Sequence, residues 1–355
     1  MSRKIRFQYH LLRGGAFYAY LRADKSQSPK ITMSDAGEIK TAFTGAFAEK
    51  AVDADGRSVE IDWLSDEIQP VMVIDGVKHP LGVFAVSTPR NRNKMKSTRV
   101  SVQAYDHCWR VRETKKGTPI YFASGTAYIT AIKQLLAAAG IETIFETPCN
   151  DTLANDREWS IGTSFLAVVN ELLKEINYKE LYFDSNGCAV LEPVSVPEAS
   201  AIKHIFDAND PTTLVLPKIE REPDYFSAPN VFVVYCSNPD RGAVMTATAR
   251  NENPQSPLSV QRRGREIVQV TGVNNIASQT ALQGHANWLR DKSMISGEKI
   301  KIETGLRPGF GVQDAVGVVY GGLTTIGIEH GYTMTLAVGG TMVHTIERAV
   351  YNLDA

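Results

Sequence analysis

The chain of 355 residues is 43% hydrophobic and 22% charged, and its formal net charge is -1. This composition is that of an ordinary folded protein, so it argues against long disordered stretches, and the balanced charge excludes a general attraction to nucleic acid. A chain of this length can form two or three domains, each with its own core.

Two further features narrow the class of protein. No run approaches the ~20 apolar residues that a membrane-spanning helix needs, and the basic N-terminus lacks the apolar core of a secretory signal, so no membrane insertion is expected. The four cysteines form no CxxC pair; they are Cys108, Cys149, Cys188 and Cys236. Their spacing predicts neither a zinc site nor a redox motif, and reduced thiols are expected.

The first predicted region is β-rich and extends from residue 30 to about residue 111. Short segments at 58–63, 69–74 and 81–86 are rich in Val, Ile and Phe. Asp55-Gly56 precedes the first of these segments and Asp75-Gly76 lies between the last two, and both dipeptides are typical of tight hairpin turns. Residues 98–105 alternate between apolar and polar side chains, which predicts a half-buried antiparallel strand. A small barrel or sandwich is expected.

The middle of the chain, residues 112–205, has helical periodicity. Apolar residues recur at helical spacing in 127–139 and again in 163–176. Gly140 follows the first segment and is its predicted C-cap. Short strands at 180–183 and 189–192 flank an Asn-Gly turn. These elements predict a compact α+β module.

The last region, residues 206–355, returns to β-structure. Strands are predicted at 231–235 and 243–249, and a helix at 278–292 forms an insertion near 273–295. Further strands are expected at 300–303, 315–320, 324–330, 333–338 and 343–349. The two β-rich ends share a layout but no identities, so they form no detectable sequence repeat. The predicted fold is mixed β and α+β: two small barrel-like domains, 1–111 and 206–355, separated by the α+β module.

Several segments of the sequence resemble one protein family. They are the stretch 31–47, the acidic stretch 61–70, the strands in 74–86, an Ala-Tyr-Asp strand end within 102–109, the middle module around 159–187, and the turn at 305–309. Together they resemble the baseplate hub, or tail-hub, proteins of bacteriophage tails and related contractile injection machines. Many members carry Pro-Gly-Asp at the last turn, where Phe310 here replaces the acid.

The resemblance implies an assembly and a location. In that family the first and third domains are similar barrels, and a homotrimer presents six barrel units around a channel, which adapts a six-fold tube to a three-fold tip. It implies a structural virion protein of the tail tip, made in the cytoplasm of the host bacterium, with no reaction to catalyse and no cofactor. The implied partners are a distal-tail or tail-tube protein, a tail-tip, fibre or spike protein, and the tape-measure protein, with DNA passing through the channel.

The residues themselves carry no recognisable active site. The seven histidines include no HExxH motif, and neither a GxSxG elbow nor a phosphate-binding glycine loop occurs. No catalytic, cofactor or metal residue is predicted. Asp62, Asp66 and Glu67 cluster, but the acids of a glycosidase cannot be chosen by spacing, so a solvated acidic loop is the favoured interpretation.

The strongest charge feature is a basic segment between residues 90 and 116. Its tip, residues 89–97, predicts an extended hairpin loop that carries Arg90, Arg92, Lys94 and Lys96. The loop either stays solvated and protects an edge strand or docks onto an acidic neighbouring subunit; nucleic-acid contact ranks third. Docking is slightly favoured. A smaller candidate of the same kind consists of Arg262, Arg263 and Arg265.

Two other functions stay open beside the hub. A tail-associated peptidoglycan hydrolase requires a cleft with convergent carboxylates of raised pKa. A binding module for host carbohydrate requires exposed aromatic side chains on one face, whereas the four tryptophans lie in apolar patterns that favour a core position; they are Trp63, Trp109, Trp159 and Trp288.

Overall fold

A computed structural model describes residues 3–24, 27–94, 97–194, 199–210, 213–223, 228–236, 244–254, 256–273, 279–294, 298–320 and 323–348. Within these residues the chain is predominantly β. An N-terminal strand set, a helical middle and a C-terminal strand set follow one another along the sequence.

The N-terminal strand set contains ten strands among the described residues. They are β1 (Ile5–Arg13), β2 (Ala16–Leu21), β3 (Lys30–Ser34), β4 (Thr41–Ala48), β5 (Lys50–Val52), β6 (Ser58–Glu60), β7 (Glu67–Ile74), β8 (Val77–Pro80), β9 (Phe84–Lys94) and β10 (Ser97–Tyr105). In β10, Val100, Val102 and Ala104 are buried, which confirms the predicted alternation.

Two-residue turns fix the register of the first hairpins. Asp75 and Gly76 have φ of 49° and 92° between β7 and β8, which confirms the predicted turn, since this hairpin type needs positive φ at both positions. Gly14 and Gly15 turn β1 into β2 in the same way, with φ of 58° and 76°. That hairpin lies ahead of the predicted β-region and was not expected.

The N-terminal strands curl around an apolar core. The pairing order is β4-β10-β9-β7-β1-β2, and Ala23, just after β2, forms a bridge back to Phe47 in β4. The core contains Phe43, whose ring centroid lies 5.5 Å from that of Phe84. Tyr9 packs against Phe47 at 5.3 Å. These large rings fill the space that the curled strands enclose.

The middle of the chain is the predicted α+β module. It comprises α1 (Cys108–Glu113), β11 (Ile120–Phe122), α2 (Tyr128–Ala138), β12 (Ile144–Glu146), β13 (Arg157–Trp159), α3 (Phe165–Glu175), β14 (Tyr182–Phe183) and β15 (Ala189–Leu191). Gly140, at φ 77°, ends α2 as predicted, and the backbone N–H of Ile141 donates to the carbonyl of Leu136 at 2.9 Å. The apolar faces of α2 and α3 form one core.

The C-terminal part contains a second strand set and an inserted unit. After a 3₁₀ turn at Ala199–Ala201 come β16 (His204–Asp207), β17 (Val215–Pro223), β18 (Val231–Cys236), β19 (Met245–Arg250), α4 (Val260–Arg263), β20 (Val268–Val273), α5 (Gln279–Met294), β21 (Glu298–Gly305), β22 (Ala315–Tyr320), β23 (Leu323–Thr335) and β24 (Thr341–Arg348). The pairing order β17-β21-β24-β23-β22-β16 surrounds Phe206, Ile302 and Ile346.

The inserted unit has its own sheet and helix. Its strand order is β19-β18-β20, and α5 covers one face of it. Leu282 and Ala286 are buried in that contact and Leu289 is partly buried, which confirms the predicted helix and its apolar side.

One predicted break in the C-terminal set is wrong. Residues 324–330 and 333–338 were expected as two strands, but β23 is continuous from Leu323 to Thr335. The register with β24 shifts between Glu329 and Gly331, so His330 is an extra residue. A β-bulge adds one residue to a strand without ending it, so the pairing continues through Gly331 and Tyr332.

The two strand sets share one sheet. β3 pairs with β23, with Ile31 opposite Met334 and Met33 opposite Tyr332. The mixed β and α+β class is confirmed. Among the described residues the strand order is open, from β17 at one end to β6 at the other. The boundaries at residues 111 and 205 stay predictions.

Candidate subunit interfaces

The basic segment is a ribbon, and the predicted loop over 89–97 is wrong. β9 continues to Lys94 and β10 begins at Ser97; Arg90 lies opposite Ser101, and Arg92 lies opposite Arg99. The hairpin is extended by backbone hydrogen bonds, which form whether the side chains are polar or apolar. The pairing of β9 with β10 therefore continues along the basic residues. Arg90 is exposed, and Lys96 lies outside the described residues.

This ribbon forms an edge. β9 pairs with β7 only through Phe84 and Ala85, so within the described chain the residues from Ser87 onward pair with β10 alone. Basic side chains and a proline such as Pro89 discourage further strand pairing at an edge. The Arg99 guanidinium forms an ion pair with Asp24. A protective edge and a docking surface both fit this position.

The second basic candidate surrounds a one-turn helix. The Ser259 hydroxyl accepts a hydrogen bond of 3.3 Å from the backbone N–H of Arg262, and Gly264 ends α4 in the left-handed region at φ 63°. Arg263 is half-buried and donates to the carbonyl of Ala228, so it ties this turn to the start of β18. Arg262 and Arg265 are exposed. This cluster belongs to the inserted unit and is separate in sequence and sheet from the ribbon.

The acidic stretch near residue 62 is not the solvated loop that was expected. Asp66 is buried and accepts two hydrogen bonds of 2.7 Å from Arg13. Glu67 is buried and lies 2.9 Å from both His107 Nε2 and an Arg110 nitrogen. Burial alone would raise the pKa of Glu67, but His107 and Arg110 lower it.

That expectation failed because the partners are remote in sequence. Arg13 lies 53 residues from Asp66, and His107 lies 40 residues from Glu67. Local composition cannot reveal a cation on a neighbouring strand. Only Asp62, of the three acids, is exposed.

A charged clip joins the two strand sets. His330 Nδ1 lies 2.6 Å from Asp35 Oδ2, and its Nε2 lies 2.7 Å from Glu347 Oε2. Burial alone would lower the pKa of His330, but the two carboxylates outweigh it and raise the pKa to about 9. The imidazole is therefore a cation at neutral pH. It lines a cavity of about 680 Å³ between β3, β23, β24 and the start of the inserted unit.

A second pair is fully buried in the C-terminal set. His344 Nδ1 lies 2.9 Å from Glu329 Oε2, and His344 Nε2 lies 3.0 Å from the Thr304 hydroxyl. Burial raises the pKa of Glu329, and the hydrogen bond with His344 opposes that rise. Neither side chain is exposed, so the pair is internal to the strand set.

A hydrolase would need convergent carboxylates of raised pKa in a cleft. Besides Glu329, burial raises the pKa of Asp106 to about 6, although two backbone N–H groups oppose the shift. Those groups are Thr41 N–H at 2.6 Å and Cys108 N–H at 3.0 Å, one on each oxygen. Asp106 therefore anchors the end of β10 to the start of α1.

The same described ranges offer few other features of a chemical site. They contain no group of three or more His, Cys, Asp or Glu side chains placed to hold a metal ion, and no helix long and apolar enough to cross a bilayer. The four cysteines are free, with Cys108 and Cys236 buried. Trp159 is buried and the other three tryptophans are half-buried.

The match to known proteins is structural. No protein-family model matches the sequence, and no curated protein matches it. A tail protein from Neisseria meningitidis MC58 superposes with a TM-score of 0.67 at 12% identity, covering 96% of each chain. The 43 kDa tail protein of prophage MuSo2 from Shewanella oneidensis gives 0.65 at 12% identity, covering 97% of this chain and 99% of that one.

The chain has the fold of phage tail proteins. A third similar structure is the c3393 protein of E. coli, a type VI secretion component described as similar to the T4 tail proteins gp27 and gp5. It superposes with a TM-score of 0.53 at 8% identity, covering 99% of this chain and 78% of that one. The resemblance to tail-hub proteins, first seen in short motifs, is confirmed at the level of the fold.

Within this tail-protein fold, Phe310 has a role that its motif did not reveal. Its ring stacks on Phe206 with centroids 5.8 Å apart and planes within 3°, and lies 4.0 Å from the ring of His204. It contacts the cores of both strand sets. The available signal was the aromatic residue directly after Pro308-Gly309, where an acid was expected.

Proposed function

We propose that the chain is a structural hub subunit of a phage-type tail tip. It forms a homotrimeric ring that continues the tail tube, adapts six-fold to three-fold symmetry and leaves a passage for DNA. The observation that carries this proposal is the extent of the fold match, which spans nearly all of this chain and nearly all of two tail proteins.

The strand sets supply a reason for the symmetry change. Each set contains six strands paired in succession, β4-β10-β9-β7-β1-β2 in the first and β16-β22-β23-β24-β21-β17 in the second, and the first continues to β3 beyond β4 and to β5 and β6 beyond β2. The bridge between Ala23 and Phe47 supports closure of the first set into a barrel. Two similar units in each of three protomers provide six wall segments, which match a six-fold tube.

The same proposal assigns domains, partners and location. Residues 1–111 and 206–355 are the two tube-like domains, and residues 112–205 are the module between them. The ring sits in the virion between a distal-tail or tube protein and a tip, fibre or spike protein, with the tape-measure protein and DNA in the bore. Phosphates adhere to strong positive charge, so the basic segment of the sequence with Arg90, Arg92, Lys94 and Lys96 is assigned to a contact with another protein rather than to the bore.

Solution mass and electron microscopy test this function together. Light scattering of the purified chain should give three times the protomer mass of 39.0 kDa, and class averages should show a ring with a central hole. A stable monomer at all concentrations, with no ring when mixed with neighbouring tail proteins, would contradict the hub. A density map in which the ribbon lines the bore would contradict its assignment as a protein-docking surface.

A further inference from the structure

An apolar side chain stands on an ordered turn between β6 and β7. Leu64 is 94% exposed. Its backbone N–H donates to Asp62 Oδ1 at 3.1 Å, and the Asp62 N–H donates to Asp66 Oδ2 at 2.8 Å. Because Asp66 is itself held by Arg13, this turn presents Leu64 in a fixed position, with the exposed acid Asp62 beside it and Glu60, which pairs with Lys50, nearby in the chain.

A matching apolar face lies on the inserted unit. Val268 and Val270 of β20 are 50% and 62% exposed. They lie opposite Val231 and Val233 of β18 in a parallel register, so they share one face of the sheet with Tyr235, which is 40% exposed. The other face of the sheet packs against α5.

This face has a basic border and a strand edge. The exposed Arg262 and Arg265 lie shortly before β20 in the chain, and the exposed Glu266, between them and the strand, is paired with Arg250. Within the described residues, β20 pairs with β18 alone. A single exposed leucine is ordinary on a protein surface. An apolar anchor with acidic neighbours and an apolar face with basic neighbours are complementary in both hydrophobicity and charge, which is how specific interfaces are built.

We propose that the Leu64 turn of one protomer docks on the β20 face of a second copy of this chain. The inference rests on the proposed ring and names its contact. Both surfaces are exposed in a single protomer, so they do not pack against each other within one chain. Because the two surfaces differ, the contact is head-to-tail, and such a contact forms a ring when its rotation closes, as the proposed trimer requires, rather than a two-fold dimer. A Leu64-to-Leu64 contact would instead bring acids together.

Engineered cysteines test the contact directly. The variant Leu64→Cys/Val270→Cys, with Cys149→Ser and Cys188→Ser to remove the accessible native thiols, should form covalent trimers on mild oxidation. Each single-cysteine version should stay uncrosslinked, since its partner thiol is missing. Leu64→Cys/Val343→Cys is the matched control, because Val343 is also exposed, at 42%, but lies on β24.

Association measurements separate this inference from the function on which it rests. A trimer in solution that gives no Leu64–Val270 crosslink overturns the docking inference and leaves the hub intact, whereas a monomer overturns the hub itself. Leu64→Asp and Val270→Asp should each weaken trimerisation by about 100-fold, as expected for a central apolar anchor. Val77→Asp, at a position that is 60% exposed on the β7–β8 turn, should leave it unchanged.

Mixing the two aspartate variants checks the direction of the contact. A head-to-tail interface retains one intact contact per mixed pair, between the β20 face of the Leu64→Asp chain and the Leu64 turn of the Val270→Asp chain. Mixed dimers should therefore form without closed trimers. Full recovery of trimers, or no association while both variants keep the wild-type unfolding temperature, would contradict the proposed arrangement.

Discussion

The two strand sets each contain six strands paired in succession but have very different interiors. The first encloses aromatic and aliphatic side chains, led by Phe43, Phe47 and Phe84. The second also encloses Phe206, but it buries Glu329 and His344 completely. The backbone ladder is therefore compatible with either interior, and the source of stability differs between the halves.

That difference has a physical consequence. An apolar interior is stabilised by burial and packing, which do not depend on the protonation of any side chain. Two buried polar groups that hydrogen-bond each other compensate their loss of hydration only while both partners are present. We expect the apolar core of the first set to respond mainly to changes in volume, and the Glu329–His344 pair of the second to the loss of either partner.

The largest effect is expected in the first set. Phe43→Ala should lower the free energy of unfolding by about 4 kcal/mol, because it removes a fully buried ring and leaves a cavity. Denaturant titration at fixed protein concentration measures this change. Phe17→Ala, at a ring that is 43% exposed, is the control and should cost under about 1 kcal/mol. Equal losses of unfolding free energy for the two variants would mean that the Phe43 ring does not belong to the dominant core.

The corresponding change in the second set removes a buried hydrogen-bonding partner. Glu329→Leu should cost about 3 kcal/mol, because it leaves His344 buried without its carboxylate. The double variant Glu329→Leu/His344→Leu should be more stable than the single one, since it removes the carboxylate and the imidazole together and leaves the buried Thr304 hydroxyl its bond to the Gly305 carbonyl. If the double variant loses as much unfolding free energy as the two single variants added together, Glu329 and His344 do not stabilise the fold as a coupled pair.

The joint between the sets should be sensitive to a single methyl group. A Cβ at Gly331 would lie 2.7 Å from the carbonyl oxygen of Met33 on β3. Gly331→Ala should therefore push β3 away from β23 and cost about 2 kcal/mol by overpacking. Gly284→Ala in α5 meets no atom within 4 Å, and should be neutral or stabilising by under about 1 kcal/mol. Equal responses would argue against a tight joint.

This joint also marks what the sequence could and could not predict. Local signals were sufficient for the Asp75-Gly76 turn, the end of α2 at Gly140 and the apolar side of α5, because each depends on residues within a few positions. The pairing of Ile31 with Met334 depends on residues about 300 positions apart and leaves no local signature. The partner of Asp66 was hidden for the same reason.

The candidate interfaces also differ in how far the sequence could predict them. Runs of Arg and Lys identified the basic ribbon, since charge is read directly from composition. Leu64 was overlooked because one leucine in a polar stretch carries no signal until the hydrogen bonds of Asp62 fix its turn. The uncovered face of β20 became visible only once α5 was known to cover the other side of its sheet.

The smallest expected effect depends on pH and tests the clip at the joint. The pKa of His330 is raised from 6.5 to about 9, so its contribution is complete below pH 6.5 and is lost as the pH rises through 9. A shift of that size corresponds to at most about 3 kcal/mol, and the partial exposure of the ring reduces the effect to about 1–2 kcal/mol.

His330→Gln should therefore flatten the decline in unfolding free energy between pH 6.5 and 9. His10→Gln is the control, because burial, together with the charge of Lys78, lowers the pKa of His10, and its titration falls below this window. Denaturant titrations at several pH values measure both slopes. Identical slopes for wild type and His330→Gln would show that the two carboxylates do not hold the proton, and that the halves are joined by the β3–β23 ladder without help from the clip.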